Sequence, residues 1–261
     1  RKLAKRIEGE IISADSMQAY KGMPIISQAP SKQELSSARH HLVGFMDPGK
    51  EYSAALFSKL ARKSIRDIIR RKKTPIIVGG SGLYIKALVN GLFPSKGKNA
   101  KLRKDLERIA GKKGSGFLHA KLKTLDPKAA SGIHPNDLRR IIRAIEICKT
   151  EKNTKTNLIR KTEGIKNKYN IEIISLQVKR DKLYKKINDR IEIMFKKGVI
   201  DEVKSILRKK LSLTAGQALG ISEISDYVNG ICSLEEAKEN LSAIRVDLPN
   251  ASSPGSEKKK K

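Results

Sequence analysis

Four segments carry side chains whose types and spacing could do chemistry. In the first, Ser13-Ala14-Asp15-Ser16-Met17-Gln18, the short strand-like run Glu10-Ile11-Ile12 leads to an acid followed by polar groups. Ligands of open α/β sheets lie beyond the carboxyl ends of the strands. A carboxylate there can take a proton from a bound nucleophile, or it can cap the following turn. The second segment is Val78-Gly79-Gly80-Ser81-Gly82-Leu83-Tyr84. Glycines between a strand and a helix let a ligand approach the backbone, the helix start favours an anion, and Ser81 offers a hydroxyl. An ordinary tight turn reads equally well. The third is His134–Glu146, in which Arg139, Arg140 and Arg143 fall within one helical turn, opposite Leu138, Ile141, Ile142 and Ile145. Arginines at that spacing can grip phosphates, or they can form a solvated basic face. The fourth is Arg190, placed either to hold a diphosphate or to pair with a neighbouring acid.

The elements that must position these groups follow from hydrophobic period. Residues 1–8 read as the end of a helix and Glu10–Asp15 as a buried strand. His40–Phe45 is a second short strand, after a loop-rich stretch over 16–39. Ser53 caps a helix whose apolar stripe runs from Ala54 to Ile69. Residues 74–80 form a strand running into glycine, and Ser81–Val89 a helix. Strand, helix, strand with β-branched strands is the rhythm of a parallel sheet covered on both faces. From Pro94 to Thr156 the chain turns polar, basic and helical, which reads as an insert with a returning helix. Ile171–Val178 resumes the strand pattern, and Asp181 caps a helix that stops at Gly198. Asp201–Leu211 is a further helix, and Ser233-Leu234-Glu235-Glu236 is a capping box. The expected organisation is an α/β core over 1–95 and 157–246, an insert over 96–156 and an aberrant disordered tail over 247–261.

The chain of 261 residues carries 56 Lys and Arg against 27 Asp and Glu, a formal net charge of +29. Charge of that sign and size favours a polyanionic partner, nucleic acid before an anionic membrane. The two cysteines, Cys148 and Cys232, make neither a disulfide framework nor a zinc site. That fits a reducing, cytoplasmic setting. No apolar run approaches the roughly 20 residues of a membrane helix.

In order and wording these blocks resemble the tRNA dimethylallyltransferase (isopentenyltransferase) family. The resemblance rests on Gly9–Met23, His40-His41-Leu42, Pro75–Tyr84, Asp126-Pro127, His134–Glu146, Gly198–Val203 and Ala215–Glu223, and it covers about residues 2–246. It implies a P-loop nucleotide-hydrolase type of fold whose helical insert grips the anticodon arm of tRNA. It also implies transfer of a dimethylallyl group from dimethylallyl diphosphate to N6 of adenosine 37, with Mg²⁺, by a monomer. Asp15 would then be the general base, and Asp15, Ser16, Met17 and Gln18 would contact the target nucleotide. Ser81, where the family has Thr, would stand near the reacting centre. Arg139, Arg140, Ile141, Ile142 and Arg143 would meet tRNA, and Arg190 would hold the leaving diphosphate.

The chain departs from the family pattern at both ends. The family's Gly-rich phosphate loop and first strand should lie just before Arg1, so weak diphosphate binding and impaired transfer are expected. After Asp247 the family expects Leu-Ala-Lys-Arg-Gln-Phe-Thr-Trp-Phe-Arg, where Leu248–Glu257 stands instead. Deleting one base from a codon series for the expected stretch yields the observed one, which suggests a frameshift. Within the motifs, Arg139 replaces Gln, Ile221 an aromatic residue and Ala19 a larger apolar one. The rival readings are a non-catalytic tRNA-binding fragment, a prenyltransferase of free adenine nucleotides and a small-molecule P-loop kinase. The large basic stretch Lys101–Arg143 speaks against the second, and the His134–Glu146 block and the overall charge against the third.

Overall fold

A computed structural model of the chain describes residues 1–93, 97, 99–160 and 162–246. The expected tail over 247–261 and the expected boundary at 95/96 lie outside the described residues. The chain divides into two compact units, Arg1–Leu88 with Asn170–Lys261, and Val89–Tyr169. The crossings thus fall at 88/89 and 169/170, where the sequence suggested 95/96 and 156/157.

In the first unit, α1 (Lys2–Arg6) leads into β1 (Gly9–Ser13), followed by α2 (Lys32–Ser37), β2 (His40–His41), α3 (Ala54–Arg70), β3 (Thr74–Val78) and α4 (Gly82–Asn90). The sheet is parallel in the order β2-β1-β3, with Ile11 opposite His40 on one side and Ile76 on the other. The fold class is therefore α/β with a parallel sheet, as the sequence implies. Central β1 is buried from Glu10 to Ser13, which its unbroken apolar pair Ile11-Ile12 allows. β3 is an edge strand, with Ile76 and Ile77 half-buried and Val78 exposed, so cover on both faces holds for β1 alone. Ser53 caps α3 by accepting the Leu56 amide, and Phe57, Ala61, Ile65 and Ile68 form its buried stripe.

At the amino end of β1, Glu10 is buried and meets three cations and a histidine. Arg71 binds it with both guanidinium nitrogens, and His41 Nε2 lies 2.7 Å away. Arg39 and Lys73 stand at 3.8 and 3.6 Å. The Arg71 hydrogen bonds, helped by His41, outweigh burial and hold this carboxyl at about 2. A folded value below the ordinary 4.5 stabilises the fold above pH 4.5, and that stabilisation is lost as pH falls towards 2. Thermal unfolding followed from pH 6 to pH 2 should show Glu10→Gln losing most of its deficit against wild type by the acid end.

The second unit holds α5 (Ala100–Leu125), α6 (Pro127–Ser131), α7 (Leu138–Glu151) and α8 (Lys155–Arg160). Gly114, at φ 79, kinks α5. Leu106, Leu118 and Leu122 of α5 pack on Ile141, Ile142 and Ile145 of α7. The Asp126-Pro127 motif has a structural job here. Asp126 caps α6 through the Ala129 amide and takes the Thr156 amide and hydroxyl at 3.0 and 2.7 Å, joining the start of α6 to α8. Where the unit's first and last segments cross, a Cβ on Gly164 would overlap the Val89 carbonyl.

The chain returns to the first unit through α9 (Arg180–Lys196), α10 (Val199–Leu207), α11 (Ile221–Val228) and α12 (Leu234–Val246). The Ser233–Glu236 capping box forms as expected, with bonds of 3.2 and 2.7 Å. Several boundaries differ from the sequence reading. Residues 171–178 are not a strand; they find no neighbouring strand among the described residues, and Ile173, Ile174 and Leu176 are exposed. The second strand stops at His41 because Leu42 and Gly44, at φ 64 and 57, leave the extended region. Lys179 is the N-cap of α9, and Asp181 sits in its first turn. α10 begins at Val199, two residues earlier than expected, and ends at Leu207.

Candidate active site

The carboxyl ends of β1 and β3 meet at one place in the first unit. Pairing continues past the strands, with the Ala14 amide donating to Val78 O at 2.7 Å. The chain then turns at Asp15, whose Oδ1 accepts the Met17 and Gln18 amides at 2.8 and 3.3 Å. The turn is of the Asx type. It occupies one carboxylate oxygen and leaves Oδ2 without a hydrogen bond among the described residues. Asp15, Ser16, Met17 and Gln18 are all half-buried.

The loop after β3 crosses this turn closely. Ser81 Oγ accepts the Ser16 amide at 3.2 Å and lies 3.5 Å from the Ser16 hydroxyl. The Ser81 amide donates to Ala14 O at 3.3 Å. A Cβ on Gly79 would stand on the Ala14 carbonyl, 2.9 Å from its Cα. Only glycine fits this crossing, which gives Gly79 a packing reason the sequence could not supply. Gly79→Ala should push Ala14–Ser16 away from Ser81. Displacement of a reacting group by about 1 Å can cost 10²-fold, so the variant's kcat/KM in a transfer assay should fall by about that factor.

Gln18 is held at both ends of its amide. Ser13 Oγ donates to its Oε1 at 2.9 Å, and its Nε2 donates to Gln28 O at 3.0 Å. An open cleft lined by Ser13, Gln18, Gln28 and Val78 adjoins this network. Beneath the turn, Tyr84 stacks on Phe57 at 5.0 Å and meets Tyr52 edge-on at 5.5 Å. Its hydroxyl donates to the Tyr52 carbonyl. Burial pushes both phenols up, so they stay neutral.

The second unit carries the arginine face. Arg139 and Arg140 are exposed, and Arg140 Nε lies 3.3 Å from Asp137, the residue that caps α7. Arg143 is half-buried and donates to Glu146 at 2.6 Å. Ile141 and Ile142 are corrections to the expected RNA contacts. Both side chains, 0% and 5% exposed, lie in the apolar core of the unit and cannot touch RNA. Arg190 is exposed on α9 and has no hydrogen bond or ion pair among the described residues. It makes no hydrogen bond to Asp15 or Ser81.

Two acids that sequence reasoning passed over prove important. Glu146 is fully buried and accepts from Asn99, Arg103 and Arg143. Glu202, on α10, accepts two backbone amides of the 16–31 loop. Their motif positions, in His134–Glu146 and Gly198–Val203, were the only available signal. Among the described residues no three His, Cys, Asp or Glu side chains group to hold a metal. No described helix is long and apolar enough to cross a membrane.

A parallel sheet whose strand ends present an acid, a hydroxyl and a glycine crossing, in a chain that also carries a basic helical unit, defines the class as an α/β protein with a candidate site at the carboxyl ends of its strands. The comparisons narrow it. The sequence matches the family described as IPP transferase over residues 18–245. It is 42% identical over 238 residues to a tRNA dimethylallyltransferase of Halothermothrix orenii, covering 90% of this chain and 73% of that protein. It is 40% identical over 241 residues to the Bacillus subtilis tRNA dimethylallyltransferase, covering 92% and 76%. Among solved structures, the full-length tRNA isopentenylpyrophosphate transferase of Bacillus halodurans aligns with TM-score 0.64 at 37% identity, covering 94% of this chain and 77% of that one. A eukaryotic dimethylallyltransferase acting on tRNA aligns with TM-score 0.73 at 27% identity, covering 94% and 62%. The chain belongs to the IPP transferase family.

Proposed function

We propose that this chain transfers a dimethylallyl group from dimethylallyl diphosphate to N6 of adenosine 37 in tRNA. The observation that carries the reading is Asp15. Its turn fixes one carboxylate oxygen on backbone amides and leaves the other open, beside Ser81. In the reaction the N6 lone pair attacks C1 of the dimethylallyl group, the C1–O bond breaks and the diphosphate leaves with that electron pair. The N6 proton passes to Asp15 Oδ2. Ser16, Met17 and Gln18 contact the flipped-out adenosine, which must leave its stack to be reached. Ser81 lies near the reacting carbon.

Arg139, Arg140 and Arg143 take RNA phosphates, and Arg190 helps hold the leaving diphosphate. Mg²⁺ would supply positive charge to the leaving diphosphate, as such ions do for substrate phosphates. The net charge of +29 supports an RNA substrate. We place the enzyme in the cytoplasm as a monomer. The test incubates the chain with unmodified tRNA, dimethylallyl diphosphate and Mg²⁺, measuring transfer and tRNA binding together. Prenyl label at adenosine 37 is the expected result. Binding without transfer would make the chain an RNA-binding protein, and transfer to free adenine nucleotides in place of tRNA would assign a different acceptor.

A further inference from the structure

Two sequence motifs, Gly198–Val203 and Ala215–Glu223, have no part in the chemistry above, yet both converge on one turn. That turn is Met23–Gln28. Its amides fold back on themselves, Ser27 donating to Met23 O at 3.1 Å and Ala29 to Pro24 O at 2.9 Å. Glu202 holds it from outside. The Ile25 amide donates to both carboxylate oxygens of Glu202 at 3.1 and 2.9 Å, and the Ile26 amide to Oε1 at 2.8 Å. The Ile26 side chain, itself buried, packs where a Cβ on Gly220 would stand 2.9 Å from its Cδ1. Gly220 has φ +104, so its conformation and its clearance both favour glycine.

From this turn the hydrogen bonds run inward. Gln28 Nε2 donates to Ile25 O at 2.8 Å, Gln28 O accepts from Gln18 Nε2 at 3.0 Å, and Gln18 Oε1 accepts from Ser13 Oγ at 2.9 Å. Glu202 is thus connected to Gln18, three residues after Asp15, through four consecutive groups. A carboxylate accepting backbone amides makes charge-assisted bonds, stronger than neutral ones, and it satisfies donors that would otherwise be buried unpaired.

We propose that Glu202 is a positioning residue for the acceptor side of the site: it orders Met23–Gln28 and through that turn fixes Gln18 beside Asp15. The proposal rests on the reading that Gln18 meets the target adenosine. Glu202 lies in the first turn of α10 together with Asp201, which is exposed and has no bond to the loop. Asp201→Ala therefore removes the same charge from the same helical turn and serves as the control for loss of helix stability.

The experiment compares wild type, Glu202→Ala, Glu202→Gln and Asp201→Ala in the full chain, using amide hydrogen exchange and titration with an unmodified anticodon stem-loop. Glu202→Ala should speed exchange over residues 16–28 and leave the 54–70 helix at its wild-type rate. It should weaken stem-loop binding about ten- to a hundredfold, the scale expected for lost hydrogen bonds to a charged acceptor. Glu202→Gln, whose single amide oxygen can still take both amides, should recover most of both effects, and Asp201→Ala should show neither. In a transfer assay the loss in Glu202→Ala should fall on KM for tRNA more than on kcat. Unchanged exchange over 16–28 in Glu202→Ala overturns the proposal, as does an equal effect from Asp201→Ala. If wild type itself fails to bind the stem-loop, the functional reading falls, and the exchange comparison still decides whether Glu202 orders the turn.

Discussion

Asp15→Asn should lower kcat for dimethylallyl transfer by about 10²- to 10⁴-fold, the range for loss of a general base, with KM for tRNA little changed. The geometry makes this substitution clean. Asp15 uses one oxygen to accept the Met17 and Gln18 amides. Asparagine supplies the same acceptor through its amide oxygen and is equally at home in an Asx turn. The Ser16–Ser81 contact does not involve the Asp15 side chain, so it survives as well. What disappears is the second oxygen, which is the only one free to take the N6 proton. Steady-state rates with saturating dimethylallyl diphosphate, together with stem-loop binding, separate the two roles. A fall in kcat with intact binding supports the base. Equal loss of binding would mean that the carboxylate holds the nucleotide without taking its proton, and an unchanged kcat would remove Asp15 from the chemistry.

How much of this could be read from the residues depends on whether a group's partners are near it in sequence. Asp15 could be placed because its position follows from its own strand: an apolar pair and then an acid mark the carboxyl end of β1. The caps at Ser53 and Ser233 were legible for the same reason, since a cap bonds three residues ahead. Gly79 was visible only as part of a glycine-rich turn. Its reason, the Ala14 backbone, comes from another strand. Glu202 and Ile25 are 177 positions apart, and a glutamate in an amphipathic helix ordinarily reads as solvated.

The misread strand over 171–178 has a related cause. Its Ile and Val content satisfies β propensity, but propensity records how a side chain fits a pleated, half-buried surface. Without an adjacent backbone the ladder does not form, and Ile173, Ile174 and Leu176 stay exposed. Grouping Ile141 and Ile142 with Arg139, Arg140 and Arg143 takes the motif as one surface. On a helix, successive residues turn through about 100°, so one motif serves both a core and a face.

Glu146→Ala should destabilise the second unit by about 3 to 5 kcal/mol, the cost of removing one partner from a buried ion pair. Glu146 is fully buried on α7. Arg103 of α5 reaches it with Nε and Nη2 at 2.8 and 2.7 Å, Arg143 with Nη1 at 2.6 Å, and the Asn99 amide at 2.7 Å. Burial alone would raise its carboxyl. The bonds from Arg103 and Arg143, with the Asn99 amide, outweigh burial and hold it at about 2. Without it, two guanidinium groups and the amide at the start of α5 face each other across an apolar helix pair. The variant should therefore show fast amide exchange and early proteolysis within 99–160 while β1 and α3 keep wild-type protection. Arg143→Ala leaves the Arg103 pair in place and should cost less.

The sign of the pH dependence gives a second check. A folded value below the ordinary 4.5 means that the stabilisation is present above pH 4.5 and fades as pH falls towards 2. The gap between wild type and Glu146→Ala should close over that window. Wild-type exchange throughout 99–160 in Glu146→Ala would show that the apolar contacts alone hold α5 on α7. If the clamp stands, Arg139 and Arg140 are exposed on the basic face, Arg140 beside Asp137, and Arg143 is turned towards Glu146. Mutating Arg139 should then weaken tRNA binding and lower its salt dependence, whereas mutating Arg143 should lower stability as well as binding.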